Sequence, residues 1–240
     1  MSFDTLAFAV FLLGVFGLWW VFEQVRGLRG LRGWVLLLGS IGFYVAAGPR
    51  DLALAAFLLV ANWALSFAVA RDRRHLWMPV LLNLGFLAFF KYRDFLTGGL
   101  ISKDIYGVEI LIPLGISFYS FQMIAYQVDL TRGHAKHEPS LHRFALFVIF
   151  FPQLIAGPIV RAARLLPQVL HQHTPHDAHR RNYGIALALI AGGVVKKVLL
   201  ADSISPHVDE IFRDGPASAG AAWLGALLFS FQIYFDFSGY

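Results

Sequence analysis

Gln122, Tyr126 and Asp129 fall within or directly after an apolar run, at spacings i, i+4 and i+7. A helix puts all three on one face, while Met123, Ile124 and Ala125 turn elsewhere. An amide, a phenol and a carboxylate in line can tie helices together by hydrogen bonds or orient a polar substrate in a cavity. They cannot face hydrocarbon cheaply, so the stripe must meet protein or water. Gln232 and Asp236 repeat the i, i+4 arrangement in "SFQIYFDFSGY", where the carboxylate follows 21 uncharged residues. Such a carboxylate is either a functional group at membrane depth or the mark of a helix end at the interface.

A third stretch, "FFPQLIAGPIVRAARLLPQ" at 150–168, is apolar yet carries Pro152, Gln153, Gly157 and Pro158. Each proline removes a backbone donor and Gly157 adds flexibility, so the segment should be kinked or broken. Broken backbone at membrane depth is tolerated only where protein buries it or a wet cavity adjoins it. Arg161 and Arg164 follow and can anchor the segment at the interface or meet an anionic ligand.

Nine histidines offer imidazole, but they lie outside the apolar runs, His75 and His207 included. "HQHTPHDAHR" gathers His171, His173, His176, His179 and Asp177, yet without a helical His-x-x-x-His pair. It reads as a solvated loop, as does "HAKHEPSLH" at 134–142, and no metal site is expected from either. With no cysteine, the chain has neither disulfide nor thiolate ligand.

The elements that position these residues follow from composition. Of 240 residues, 58% are hydrophobic and 15% charged, and the mean hydropathy is +0.62, far beyond what a soluble domain of this size carries. Uncharged runs at 6–22, 34–48, 52–70, 76–90, 110–128, 144–160, 182–195 and 215–235 predict an all-α, polytopic transmembrane helical bundle. About eight hydrophobic segments form it, one of them broken or re-entrant, in a single domain over 1–240. Alternating strands of a membrane barrel are absent from the pattern.

The net charge of +5 comes from Lys and Arg in the connectors, which fix topology and meet anionic headgroups; a nucleic-acid partner is not expected. If each run crosses once, twelve of the 20 positive residues fall in the odd connectors, among them Arg26, Arg29, Arg32, Lys196 and Lys197. That places the N-terminus outside and "RGLRGLRG" in the cytoplasm. The start "MSFDTLAF" lacks the features of a cleaved signal peptide, so the first run is read as a retained span. No tandem repeat is present; "SFQ" at 120–122 and 230–232 is too short to define one.

The segment "FFPQLIAGPIVR" with "LLPQ" (150–161 and 165–168) resembles the signature of the membrane-bound O-acyltransferase family, in its bacterial alginate O-acetylation branch. "FFKYRDFL" (89–96), "IPLGISFYSFQMIAYQVDLTRG" (112–133) and "QIYFDFSGY" (232–240) are similar to further blocks of that branch in the same order.

The resemblance implies a multi-helix enzyme of the bacterial plasma membrane. It would move an acetyl group from a cytoplasmic-side donor such as an acyl thioester to hydroxyls of an extracytoplasmic, alginate-like polysaccharide. No tightly bound cofactor is implied. The implied partners are the bilayer, the polysaccharide and periplasmic or membrane acetylation proteins. Pro152, Gln153, Gly157, Pro158 and Arg161 match the first motif and would shape a tunnel wall. Asp236, Ser238, Gly239 and Tyr240 match the terminal one, with Asp236 orienting its neighbours. Gln122, Tyr126, Asp129 and Gln232 join them as lining candidates. The family's catalytic histidine follows the terminal block, so it is expected beyond Tyr240, with this chain the N-terminal part of the fold and inactive alone. Two other readings stay open: a transporter or channel with a broken-helix gate, and a non-catalytic membrane scaffold.

Overall fold

The computed structural model describes residues 5–25, 27–93, 95, 104–105, 108–109, 112–153, 159–170, 176–215 and 218–239. It is an all-α membrane bundle whose contacts divide into two compact units, Phe3–His171 and Gln172–Tyr240. Among the described residues, four helices are long and apolar enough to cross a membrane: Leu6–Gln24, Pro49–Arg71, Tyr183–Asp214 and Ala219–Gly239.

The first unit holds α1 (Leu6–Gln24), α2 (Arg32–Ala47), α3 (Pro49–Arg71), α4 (Trp77–Phe90), α5 (Ile116–Thr131), α6 (Leu141–Ile149) and α7 (Ala162–Leu170). Between α4 and α5 lies a two-residue antiparallel ladder, Asp104–Ile105 with Val108–Glu109. Local chemistry sets the helix ends. Thr5 Oγ1 accepts from the Phe8 N–H at the start of α1. Pro49 opens α3, with Asp51 in its first turn and Arg71 in its last, matching the helix dipole. Gly133, at φ 70°, turns the chain after α5 so that the N–H groups of His134 and Ala135 return to the Asp129 carbonyl.

The core of this unit forms around α6. Phe144, Leu146, Phe147, Val148 and Ile149 are all buried, though the helix has only nine residues. α2, α3, α5 and α7 each pack against it. Because lipid is as apolar as these side chains, close packing and hydrogen bonds, more than water exclusion, hold such helices together. Asn62 and Asn83 supply a polar tie between α3 and α4. The Asn83 amide donates to Asn62 Oδ1 at 2.7 Å, and Gln127 of α5 donates to the Asn62 carbonyl at 2.9 Å.

The second unit holds α8 (His176–Val194), a π-helical segment (Val195–Ala201), α9 (Asp202–Asp214) and α10 (Ala219–Gly239). Two expectations need correction here. Lys196 and Lys197 do not lie in a connector, because the helix runs on through the π segment to Asp214. The apolar run Val198–Ala201 continues the helical pattern, and carboxylates neutralise Lys197, as shown below. Arg213, inside α9, leaves the connector by the same continuity, so the odd-connector charge count loses three of its twelve residues. Likewise His176 and His179 open α8 and His207 lies in α9, so none of these three is in a loop. His171 and His173 lie outside the described residues.

At 32 residues, Tyr183–Asp214 is about 48 Å long, well beyond the roughly 30 Å hydrocarbon core. The excess falls on α9, which carries Asp202, Asp209, Glu210 and Asp214 and is suited to an interface.

Candidate functional site

The run expected to break does so at Ile149. α6 ends there, Phe150 takes an extended conformation, and Phe151–Gln153 form a 3-10 turn. The Phe147 carbonyl would ordinarily accept from the Phe151 N–H four residues on. That N–H instead donates to Ser40 Oγ of α2 at 3.2 Å, and Pro152 has no N–H to offer. Two side-chain amides take over: Gln122 Nε2 of α5 and Gln153 Nε2 both donate to the Phe147 carbonyl at 2.9 Å. Phe151 then wedges among Phe8, Phe11 and Phe43, with ring centroids 6.2, 5.1 and 6.0 Å away.

Gln122 and Gln153 are thus brought together as caps of a broken helix, and both are buried. Pro152 itself is exposed, and Gly157 and Pro158 lie outside the described residues. Among the described residues, Gln122 Oε1, Gln153 Oε1, Tyr44 Oη, Tyr119 Oη and Ser120 Oγ are buried without a hydrogen-bond partner. Such groups are costly in a bundle unless a polar guest meets them.

The stripe on α5 continues into a second cluster. Tyr126 Oη accepts from the Glu138 N–H at 2.9 Å. Buried Asp129 receives Arg161 Nη1 at 3.4 Å, with His134 Nδ1 at 3.7 Å. The structure therefore joins Arg161, from the proline-containing segment, to the carboxylate of α5. A cleft of about 620 Å³ adjoins, lined by 133–138, Arg143, Ala162, Ala163, Leu166 and Pro167.

The stretch 134–142 is not the freely solvated loop that its composition predicts. His137 Nε2 lies 3.0 Å from Ser66 Oγ, and its ring meets Phe67 edge-on at 4.5 Å. The Ser66 proton goes to the Trp63 carbonyl at 2.6 Å, which leaves the imidazole as donor to the serine oxygen. Burial lowers the His137 pKa, partly offset by the charge of Glu138. His142 stacks on Trp34 at 4.8 Å and an interplanar angle of 15°. Among the described residues, no three His, Asp or Glu side chains are gathered as metal ligands.

In the second unit, Lys197 of the π segment sits between two carboxylates. Its Nζ is 2.8 Å from Asp202 Oδ1 and 2.8 Å from Asp236 Oδ1 of α10. Lys196 Nζ donates to the Ser238 carbonyl at 3.4 Å. Gly193 lets α8 meet the end of α10 so closely that a Cβ there would strike the Gly239 carbonyl. A π turn shifts the side chains that follow it around the helix, which suits the delivery of both lysines to one end of α10. Gln232 Oε1 and Ser238 Oγ are buried without a partner among the described residues. Tyr240 lies outside them.

No protein-family model matches the chain. Curated relatives do match. A probable alginate O-acetylase AlgI of Pseudomonas aeruginosa is 35% identical over 258 aligned positions, covering all of this chain and 47% of its own length. A probable alginate O-acetylase AlgI of Azotobacter vinelandii is 36% identical over 223, covering 87% of this chain and 44% of its own. A peptidoglycan O-acetyltransferase of Helicobacter pylori is 32% identical over 239, covering 85% and 45%. This chain belongs to the membrane-bound O-acyltransferase family. It spans about half the length of these relatives.

Sequence reasoning missed four participants in the polar contacts of this family member's two units. Ser40, within an otherwise apolar run, gives no sign that it will accept from residue 151. Lys197 reads as a connector residue. Ser66 and His137 are 71 residues apart, and nothing local links them. The one signal that could have raised Lys197 is its place beside Val198–Ala201, where an apolar helical run continues past the charge.

Proposed function

We propose that this protein takes part in moving an acetyl group from a cytoplasmic-side thioester to hydroxyls of an extracytoplasmic, alginate-like polysaccharide. In that reaction the hydroxyl oxygen forms a bond to the acyl carbon, the carbon–sulfur bond breaks, and the thiol leaves. The hydroxyl proton passes to a general base, a role suited to an imidazole, and from it to the departing sulfur. The observation that carries the reading is the match at 35% identity along the entire chain to a protein named as an alginate O-acetylase.

The geometry lends support. Acceptor sugars are rich in hydroxyls, and the buried Gln122, Gln153, Tyr119 and Ser120 offer polar atoms with spare hydrogen-bonding capacity inside the bundle. In this proposal the segment from Pro152 to Arg161 forms part of a tunnel wall, and Asp236 orients groups at the end of α10. Gln232 and Ser238 join Asp236 there; separately, within the first unit, Gln122, Tyr126 and Asp129 line the tunnel. The protein would sit in the bacterial inner membrane with its N-terminus outside, and would work with periplasmic or membrane acetylation partners.

The test is Asp236→Ala in the complete gene. Acetyl content of the exported polysaccharide should fall at least tenfold, with membrane levels of the protein unchanged. Full acetylation in that variant would remove Asp236 from the proposed machinery.

A further inference from the structure

The cleft beside the end of α5 combines two kinds of wall. One side is α7, a short amphipathic helix: Ala162 is buried, and Leu165, Leu166 and Val169 pack on the core, while Arg161, Arg164 and Gln168 are exposed. Ala162, Ala163, Leu166 and Pro167 give this side of the cleft an apolar surface. The other side is the connector between α5 and α6, which contributes His134, Lys136, His137 and Glu138, with Arg143 from the first turn of α6.

The acids here are already engaged. Asp129 is taken by Arg161, and Glu138 faces Arg143 at 4.0 Å and accepts from the Ser140 N–H at 3.0 Å. Arg132, Lys136 and Arg164 are exposed and form no ion pair among the described residues, so the rim carries a surplus of positive charge. A cleft that is apolar on one wall and cationic on the other, at the end of a helix of the membrane bundle, matches an amphiphile with an anionic head. Its volume of about 620 Å³ lies within the range of ligand sites.

We propose that this cleft binds the phosphodiester headgroup of an anionic phospholipid, the phosphate held by Lys136 and Arg143 and the upper acyl chain lying against α7. A soluble phosphate would use the cationic wall alone; the apolar wall favours the lipid. The inference rests on the membrane location of the chain and is independent of the proposed acetyl transfer.

The test is native mass spectrometry of the purified full-length protein after delipidation, with phosphatidylglycerol or phosphatidylcholine added back. Phosphatidylglycerol should stay bound under activation that strips phosphatidylcholine. Lys136→Gln with Arg143→Gln should lower its retention about tenfold or more. The charge-conserving pair Lys136→Arg with Arg143→Lys should keep it, which separates lost charge from lost fold, and Arg74→Gln on the α3–α4 connector should leave it unchanged. Equal retention of the two lipids, or retention of phosphatidylglycerol by the Gln pair, overturns the proposal. Complete displacement by millimolar inorganic pyrophosphate overturns it also, in favour of a soluble phosphate ligand.

Discussion

Replacing Lys197 by Met removes the cation between Asp202 and Asp236 without removing the bulk of its stem. Each Nζ to Oδ1 separation is 2.8 Å. At an effective dielectric of about 20, each contact is worth roughly 6 kcal/mol before desolvation and side-chain ordering are counted. Those costs take back most of it. Side-chain exposures of 28% for the lysine and 41% and 39% for the carboxylates place the triad between two limits. Exposed pairs contribute about 0–1 kcal/mol, and breaking a fully buried pair costs about 3–5 kcal/mol. In the variant the two carboxylate oxygens stand no further apart than about 5.6 Å, twice the contact distance, and repel by about 3 kcal/mol or more at the same dielectric until the half-exposed side chains turn apart into solvent. We expect a net loss of about 1–3 kcal/mol, or a fall in Tm of roughly 3–10 °C. Tryptophan fluorescence of the detergent-solubilised protein reads it directly. Adding Asp236→Asn should recover more than half of the loss, since one of the repelling charges is then gone. If Lys197→Met melts within a degree of the parent, or the double variant melts no higher than the single, the triad does not hold the end of α10.

Gln153→Leu leaves the Phe147 carbonyl with Gln122 alone and should cost about 1 kcal/mol in a chemical or thermal melt; with Gln122→Leu added, the loss should exceed the sum of the singles, because the carbonyl is then orphaned. Additive losses would show that the two amides do not share that acceptor. His137 is held below its ordinary pKa of 6.5, so the unfolded chain binds its proton more readily than the folded one. Its contribution to stability is full above about pH 6.5 and declines as the pH falls. The Tm difference between pH 7.5 and pH 5.5 should therefore narrow in His137→Gln, and an unchanged difference would exclude His137 as a source. Gly193→Val puts a branched side chain against the Gly239 carbonyl and should lower both Tm and polysaccharide acetylation, whereas Gly192→Val, whose added Cβ meets nothing, should do neither. Equal effects of the two would deny the close approach of α8 and α10.

Much of the architecture was legible in the residues because its signals are local. An uncharged run long enough to cross hydrocarbon has few options other than a helix, so α1, α3 and α10 follow from composition. The break after α6 was equally legible, since Pro152 cannot donate whatever surrounds it. The stripe of Gln122, Tyr126 and Asp129 could be placed on one face because helical spacing alone decides that. Its partners could not be read. Gln122 meets a carbonyl 25 residues on, Ser40 accepts from an N–H 111 residues away, and Asp129 meets Arg161 across 32 residues. Lys197 was misplaced for a related reason: hydropathy treats a charge as the end of a span, whereas two carboxylates from the same unit let a helix carry it onward. Periodicity and proline chemistry are short-range and belong to the sequence. Which buried donor finds which acceptor depends on how the helices pack, and only the tertiary structure decides that.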